Sequence, residues 1–158
     1  MDICYILAMH MDRIAVISDT HGLLRQEIIG FLESCDGIIH AGDVCSEEIL
    51  DRLRGIAPLT VVGGNCDTEP WADRLAMTET LEIGSRHIYV IHELDKLDVD
   101  PVGRFDMVIY GHTHTPRREE KNGVIYLNPG SIGPRRSGLP ISYALISLEN
   151  GQADVTFH

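Results

Sequence analysis

The sequence predicts a layered α/β fold with mixed β-sheets. In residues 13–63, short apolar runs alternate with stretches of helical spacing, a pattern typical of parallel strands joined by crossover helices. The second half is mostly strand-like and contains a strong hairpin signal, so antiparallel pairs are expected as well. A length of 158 residues, with 44% hydrophobic and 23% charged residues, suits one soluble domain over residues 1–158.

The first half of the chain combines predicted strands with predicted helices. Three short apolar runs predict buried strands, at residues 13–18, 37–42 and 58–63. Residues 23–34 place apolar side chains at a helical spacing and therefore predict a helix. A second helix is predicted over residues 46–54, because Ser46 is a good N-cap and acidic residues follow it.

The second half of the chain is expected to be built mainly from strands. Residues 79–92 predict a hairpin whose turn lies at Gly84 and Ser85. Residues 142–158 predict a final hairpin, because the Asn150-Gly151 pair is the strongest short turn signal in the chain. Between the hairpins, a short helix with a loop and two further strands are predicted at residues 94–105, 106–111 and 123–131.

Composition and charge restrict the classes of partner and compartment. The net charge of −11 would repel the phosphate backbone of a long nucleic acid, so such a partner is not expected. No apolar run reaches the roughly 18 residues that a membrane span needs, so no membrane association is expected. The cysteines include no C-x-x-C pair, and scattered thiols in an acidic chain are typical of the reducing cytoplasm.

The first ten residues are interpreted as a possible N-terminal extension, since the first predicted strand begins near Arg13. The apolar piece at residues 3–9 lacks the basic region and cleavage site of a signal peptide. Met9 or Met11 is an alternative start.

Potential metal ligands follow five of the predicted strands, at the point where each strand ends. They are Asp19 with His21, Asp43, Asn65, His92, and His112 with His114. Because the carboxyl ends of strands in α/β sheets assemble sites, we expect these side chains to converge. In an extended chain residues two apart point the same way, so His112 and His114 would face one side. Two imidazoles aimed at one point suit a divalent metal.

Each candidate ligand also has a purely structural explanation. Asp19 could be a helix cap, and Asp43 and Asn65 could be turn residues. His92 could be a hydrogen-bonded structural histidine at a strand end. These explanations would have to hold together at five strand ends, so the metal interpretation is favoured.

The number and type of the candidate ligands indicate how many ions they hold. Two aspartates, one asparagine and four histidines exceed what one ion needs, and they suit two ions bridged by a carboxylate. Oxygen and imidazole donors without a thiolate favour manganese, iron, cobalt, nickel or zinc. We expect two divalent ions, with Mn²⁺ first and Ni²⁺, Zn²⁺, Fe²⁺ or Co²⁺ as alternatives.

The order of these motifs resembles the calcineurin-like metallophosphoesterases. The motifs are Asp19-x-His21, Gly42-Asp43, Gly64-Asn65, His92 and Gly111-His112-x-His114. The small size, the "GNCD" at residues 64–67 and the "NPGS" at residues 128–131 are most similar to the small bacterial and archaeal YfcE-type phosphodiesterases. The resemblance implies a four-layer α-β-β-α sandwich with two mixed β-sheets and a dinuclear site.

The resemblance also implies a role for each ligand. The first metal would be held by Asp19, His21 and His114, and the second by Asn65, His92 and His112. Asp43 would bridge the two ions. The implied activity is hydrolysis of a small phosphodiester or nucleotide-like substrate by a hydroxide that bridges the metals.

Three residues of the "GNCD" stretch are candidates for the catalytic machinery, together with His92. Asn65 would be a neutral metal ligand, and Asp67 would orient the groups around it or serve as a turn residue. Cys66 stands where many members of the superfamily carry a histidine that can protonate the leaving group. A thiol of ordinary pKa is a poor replacement for that acid, which puts activity on poor leaving groups in doubt.

Two alternatives belong to other functional classes. A retromer subunit of the same superfamily uses this fold for protein binding, although here all seven ligand positions are filled. Some members of the superfamily are nucleases, and the net charge of −11 disfavours long polyanions but not short or cyclic nucleotides. Self-association into a homo-oligomer is also expected.

Overall fold

A computed structural model describes residues 11–158, and the predicted extension at residues 1–10 lies outside this range. Ten strands form two five-stranded sheets. The first sheet contains β1 (Arg13–Ile17), β2 (Gly37–His40), β3 (Leu59–Val61), β9 (Ala144–Glu149) and β10 (Gln152–Phe157). The second sheet contains β4 (Thr78–Ile83), β5 (Arg86–Ile91), β6 (Met107–Ile109), β7 (Arg117–Lys121) and β8 (Val124–Asn128). The α-helices are α1 (Ile29–Glu33) and α2 (Glu47–Ile56).

Both sheets are mixed, and each has three parallel strands. The strand order in the first sheet is β10-β9-β1-β2-β3, with β1, β2 and β3 parallel and β9 antiparallel to both of its neighbours. The order in the second sheet is β4-β5-β6-β8-β7, with β5, β6 and β8 parallel. The carboxyl ends of the parallel strands therefore meet along one edge of each sheet, as sites in α/β folds require.

The two sheets pack face to face, and α1 and α2 cover the outer face of the first sheet. In β1, Ile14 and Val16 point into the core between the sheets, whereas Ala15 and Ile17 point towards the helices. This alternation follows from the two-residue period of a strand, and it explains why the strand reads as a continuous apolar run. Both faces of the first sheet are thus covered.

The outer face of the second sheet is covered by a thinner layer. Tyr89, Val108 and Tyr110 are buried there beneath the segment at residues 94–105, which begins with the 3₁₀ helix Leu94–Lys96. The predicted α/β fold with two mixed sheets is confirmed, and its fourth layer consists of this short helix and its loop. The expectation of one domain over residues 1–158 stays a prediction.

Several local predictions differ from the structure. The helix predicted over residues 23–34 is reduced to a 3₁₀ turn, Gln26–Ile28, followed by α1. Ser46 occupies the N-cap position of α2 as expected, but its side chain makes no capping hydrogen bond. Strand β7 was not predicted, because its sequence RREEK has five exposed polar residues and no apolar alternation. A charged edge strand of this kind protects a sheet from further pairing.

Both predicted hairpins are confirmed, with turns between β4 and β5 and between β9 and β10. Among residues 11–158, no helix has the length and apolar character that crossing a bilayer requires.

Candidate metal centre

The loops after β1, β2, β3, β5 and β6 converge at the shared edge of the two sheets. They bring together the seven predicted ligands, which are Asp19, His21, Asp43, Asn65, His92, His112 and His114. Three of them, Asp19, Asp43 and His92, are at most 2% exposed although each is polar or ionisable. The strand-end pattern of the sequence therefore predicted which side chains meet.

The extended backbone expected at the two histidines was wrong. His112 and His114 have φ angles of +69° and +59°, in the left-handed region that non-glycine residues rarely adopt. Asp19 (φ +56°), His21 (φ +44°) and Asp43 (φ +57°) share this conformation. The chain turns sharply as it leaves the strands, and the two histidines consequently serve different clusters instead of facing one point.

The first cluster contains one carboxylate and two imidazoles. Nε2 of His114 lies 3.2 Å from Asp19 Oδ1 and 3.2 Å from Nε2 of His21. Nε2 of His21 lies 3.7 Å from Asp19 Oδ1. The three donor atoms thus surround one small volume, and they are the set predicted for the first metal.

The second cluster contains one amide oxygen and two imidazoles. Asn65 Oδ1 lies 3.1 Å from Nε2 of His92 and 3.0 Å from Nδ1 of His112. The Nδ1–H of His92 donates to the carbonyl oxygen of Ala41 at 2.7 Å, so its Nε2 carries the free lone pair. This second nitrogen contact fixes the tautomer and ring orientation that a metal ligand needs.

Asp43 lies between the two clusters. Its Oδ2 is 3.6 Å from Nε2 of His21 in the first cluster and 3.2 Å from Nε2 of His92 in the second. Its Oδ1 accepts a hydrogen bond from the backbone N–H of Cys66 at 2.8 Å, which holds the carboxylate in this orientation. Asp19 Oδ1 also lies 4.0 Å from Nε2 of His92, but Asp43 makes the shorter contact with the second cluster, as a bridging ligand would.

The residues fit a pair of cations. Bonds of about 2.0–2.2 Å to one ion place neighbouring ligand atoms about 3.0–3.5 Å apart, and most donor spacings in both clusters fall in or near that range. Asp19 Oδ1 is buried and, among the described residues, has no hydrogen-bond partner, although a buried carboxylate oxygen is costly when unpaired. This orphaned oxygen points into the first cluster, where a cation would satisfy it.

Electrostatics in the clusters favours ionised carboxylates. Burial alone would raise the pKa of Asp19, but its contacts with His114 and His21 and the hydrogen bond from Ser18 hold that pKa well below its ordinary value. The pKa of Asp43 is likewise lowered despite burial, mainly by His92. Burial opposes a charged His92, yet the Asp43 and Asp19 carboxylates raise its pKa.

Two glycines allow the loops to approach the ligands this closely. A Cβ at Gly64 would lie 2.1 Å from Asp43 Oδ1, and a Cβ at Gly42 would lie 2.7 Å from Nδ1 of His92. Any side chain at either position would displace a candidate ligand. In the Gly42-Asp43 and Gly64-Asn65 pairs of the sequence, a glycine thus leaves the space that a candidate ligand needs.

Buried polar side chains hold the loops in place from behind. Burial lowers the pKa of His40 to about 4, so its imidazole is neutral, and its Nδ1 accepts the Gly42 N–H at 3.1 Å. Its Nε2–H then donates to Thr20 Oγ1 at 3.0 Å, which links the loops after β1 and β2. His40 is accordingly a buried supporting residue and belongs to neither cluster.

Asp67 is placed at a junction of loops. Its carboxylate accepts hydrogen bonds from the backbone N–H groups of Cys45 at 2.7 Å and Gly64 at 2.8 Å. It therefore ties the loop after β2 to the loop after β3. Its contacts agree with an orienting role and with a turn role alike.

The "NPGS" stretch supports the site more directly than its sequence predicts. Asn128 is fully buried, and its Nδ2 donates to the carbonyl oxygen of Gly111 at 2.8 Å and to Thr113 Oγ1 at 3.0 Å. Ser131 Oγ donates to the carbonyl oxygen of Asp19 at 3.0 Å. Both residues anchor ligand-bearing loops and do not line the opening. In the sequence, the only indication of these two residues is a group of polar residues at a strand end, and such a group predicts a turn in the first place.

Two thiols flank the clusters. Cys66 is exposed and Cys45 is half-buried, and Cys45 Sγ lies 3.7 Å from Nδ1 of His21. Burial and the nearby Asp67 and Asp43 carboxylates raise the pKa of Cys45 to about 12, and burial and Asp43 also raise the pKa of Cys66. Neither thiol is a ready acid or nucleophile near neutral pH without a cation.

Comparison with known proteins links this site to a family. The profile of the calcineurin-like phosphoesterase superfamily domain matches residues 12–151. The probable metallophosphoesterase YsnB of Bacillus subtilis (strain 168) is 35% identical over 159 residues, covering 92% of this chain and 89% of that protein. The phosphodiesterase YfcE of Escherichia coli (strain K12) is 29% identical over 112 residues, covering 63% of this chain and 58% of YfcE. The structure of vacuolar protein sorting 29 from Cryptosporidium parvum has a TM-score of 0.72 at 24% identity, covers 93% of this chain and 96% of that chain, and shares the fold.

Proposed function

The chain belongs to the calcineurin-like phosphoesterase superfamily, and on that premise we propose that it hydrolyses the phosphodiester bond of a small or nucleotide-like substrate. The observation that carries the proposal is Asp43, whose Oδ2 lies within 3.6 Å of His21 Nε2 and within 3.2 Å of His92 Nε2. Two complete donor clusters sharing one carboxylate suit two divalent cations. Bound there, they would supply a bridging hydroxide as nucleophile and neutralise charge on the phosphate oxygens.

The side chains of the chain would position these ions and the substrate. Asp19, His21 and His114 would hold one cation, and Asn65, His92 and His112 would hold the other. Asn65 contributes an oxygen without adding negative charge, which leaves the second position more attractive to an anionic substrate. The Ala41 carbonyl, which accepts the Nδ1–H of His92, keeps the Nε2 lone pair directed at the cluster.

The leaving group would receive little help from the protein. Cys66 stands at the opening of the site, and its raised pKa makes it a weak proton donor at neutral pH. We therefore propose a preference for phosphodiesters with good leaving groups over phosphomonoesters with poor ones. The phosphodiesterase name of YfcE supports the same substrate class.

Charge and thiol chemistry support the remaining parts of the proposal. A net charge of −11 disfavours long polyanions and leaves short or cyclic nucleotides as candidates. Free thiols at Cys35, Cys45 and Cys66 suit a reducing, cytoplasmic location. The oxygen and imidazole donors suit Mn²⁺, with Ni²⁺, Zn²⁺, Fe²⁺ and Co²⁺ as alternatives, and self-association into a homo-oligomer is proposed as well.

The test is a metal add-back assay. The protein is stripped with a chelator, reloaded separately with Mn²⁺, Ni²⁺, Zn²⁺, Fe²⁺ or Co²⁺, and assayed with a chromogenic phosphodiester and the matching monoester. Turnover of the diester is expected with at least one metal. His112→Asn should reduce it by at least about a hundredfold, whereas the exposed His87→Asn should not. Absence of diester turnover under every metal would overturn the proposal.

A further inference from the structure

The donor atoms of the metal centre include a thiol that the oxygen and imidazole set does not account for. One donor atom each of His21, Asp43 and Cys66 lies within 4.8 Å of the other two. The backbone N–H of Cys66 donates to Asp43 Oδ1 at 2.8 Å, so this residue is fixed to the carboxylate that faces both clusters. Cys66 is also exposed, which places its sulfur at the open side of the centre.

One N–H donor faces the sulfur, whereas burial and the nearby Asp43 carboxylate oppose a thiolate as long as no cation is bound. The amide of Asn65 is oriented by its oxygen, which faces His92 and His112 at 3.1 and 3.0 Å. Its Nδ2–H is thereby turned towards Cys66 Sγ, to which it donates at 3.5 Å. An N–H donor directed at sulfur stabilises a thiolate more than a thiol, because the hydrogen bond is stronger to a charged acceptor.

A second observation at the same place points to a cation site. Asp19 Oδ1 is buried, has no hydrogen-bond partner among residues 11–158, and lies 3.7 Å from Nε2 of His21. Asp43 Oδ2 approaches the same His21 nitrogen at 3.6 Å. A cation that pairs with both carboxylates would therefore lie beside His21, whose donor atom is within 4.8 Å of the Cys66 sulfur.

We infer that Cys66 gives its thiolate to the cation held by His21 and Asp43, as an additional ligand on the open side of the centre. This inference rests on the proposed metal centre. As the sulfur–metal bond forms, the thiol proton passes to solvent, because a coordinated thiol is deprotonated. A thiolate ligand favours zinc, cobalt or iron over manganese, so Cys66 would narrow the set of metals that the oxygen and imidazole donors allow.

Cys45 provides the control because its thiol also lies beside His21 but is differently placed. Its Sγ faces Nδ1 of His21 at 3.7 Å, and Nδ1 is the ring nitrogen that does not face the clusters. Cys45 therefore orients the His21 ring and is not expected to bind the ion.

The experiment is cobalt substitution followed by absorption spectroscopy on the wild type, Cys66→Ser and Cys45→Ser. Bound Co²⁺ gives visible bands in all three proteins, and we expect a near-ultraviolet thiolate-to-cobalt band in the wild type and Cys45→Ser only. Visible bands without the thiolate band in the wild type would overturn the inference, as would an unchanged band in Cys66→Ser. If no cobalt binds, the proposed metal centre fails, which is a separate result that removes the inference with it.

Alkylation of the wild type gives a second readout that needs no variant. Trypsin releases residues 55–74 with Cys66 as the only cysteine, whereas Cys35 and Cys45 share the peptide of residues 26–52. Adding Zn²⁺ to the metal-free protein should slow alkylation of Cys66 at least about tenfold, because a coordinated sulfur is a weaker nucleophile. A rate at Cys66 that does not change with Zn²⁺ at saturation would contradict the inference.

Discussion

The hairpin turns and the metal-site loops use the same left-handed backbone conformation with different residues. At the turns it is adopted by Asn150 (φ +50°) and Gly151 (φ +76°), residue types for which this conformation costs little. In the site it is adopted by Asp19 (φ +56°) and Asp43 (φ +57°), a residue type that tolerates it better than most, and by His21 (φ +44°), His112 (φ +69°) and His114 (φ +59°), for which it costs on the order of 1–2 kcal/mol each. At the turns the residue fits the backbone, whereas in the site the backbone is strained to place the ligand.

This difference separates two kinds of sensitivity to mutation. Changes in the site loops should affect metal binding and activity before folding stability, because the strained backbone there serves to position the donor atoms. Changes at the hairpin turns should affect only folding stability.

The largest effect is expected from Asp43→Asn. The amide removes the carboxylate that faces both clusters, so the variant should lose more than one equivalent of metal and at least about a hundredfold of its phosphodiesterase activity. Metal content by atomic emission and turnover of a chromogenic diester provide the measurement. The control is Asp51→Asn, at an exposed position on α2. Loss of less than half an equivalent would count against the bridging role.

A smaller but still local effect is expected from Gly64→Ala. Gly64 does not have a left-handed φ, so an alanine there is not strained by its own backbone angles, and the change tests the close approach of a Cβ to Asp43, at 2.1 Å from its Oδ1 and 2.3 Å from its backbone nitrogen. Displacement of that carboxylate should lower activity and metal affinity about tenfold to a hundredfold, the scale seen when support of a ligand is lost.

The matched control for this change is Gly55→Ala in α2. A Cβ at Gly55 would meet nothing within 4 Å, and alanine is the better helix former by roughly 0.5–1 kcal/mol. Gly55→Ala should therefore raise the melting temperature slightly and leave activity unchanged. Wild-type metal content in Gly64→Ala would show that the loop yields without moving Asp43.

The hairpin turn and the metal-site loops also differ in how well the sequence predicts them. The turn at Asn150-Gly151 was predicted correctly, because its residue types alone determine its conformation. The side chains that meet in the site were predicted from their positions after apolar runs, because parallel strands end at a common edge, and their role as metal ligands stays a prediction. The left-handed conformation at Asp19 and His112 could not be predicted, since both residue types adopt other conformations far more often and the tertiary contacts enforce this one.

The other differences between the predicted and the observed structure have a similar physical origin. Strand β7 carries no apolar pattern, because as an exposed edge strand it buries no side chain and depends on its pairing with β8. The helix predicted over residues 23–34 begins late, because Gly22 (φ +78°) and the buried Leu24 follow the ligand loop before helical structure starts. In both cases, contacts between residues distant in sequence outweighed the local sequence pattern.

A further prediction concerns pH, and it separates the site from the rest of the fold. The pKa of His92 is raised by Asp43 and Asp19, so in the metal-free protein its stabilising charge is fully present below the ordinary value of 6.5. That contribution is lost as the pH rises through the raised pKa. Asp19 has a pKa held below its ordinary 3.8, so its contribution is lost only in strong acid. Burial lowers the pKa of His40 to about 4, so protonation of this histidine in the unfolded chain reduces stability as the pH falls below 6.5. The metal-free protein should therefore be most stable in a window around pH 6.5.

Bound cations should remove the decline above that window, because they take the place of the proton on His92. Melting temperatures measured from pH 5.5 to 8.5, with chelator and with excess metal, provide the test. The metal-free His92→Asn variant should lack the decline in melting temperature with rising pH that the metal-free wild type shows. If the melting temperature of the wild type changed equally with pH with and without metal, this result would contradict the electrostatic account of the site.

The smallest effect is expected at the hairpin turn, from Gly151→Ala. Gly151 has φ +76°, and a Cβ added there would meet nothing within 4 Å, so the only cost of alanine is that of the left-handed backbone, about 1 kcal/mol. Chemical denaturation should show that loss, and metal content and diester turnover should equal those of the wild type. Reduced metal binding in this variant would mean that the β9–β10 hairpin is coupled to the ligand loops, and that strain in the two regions is not independent.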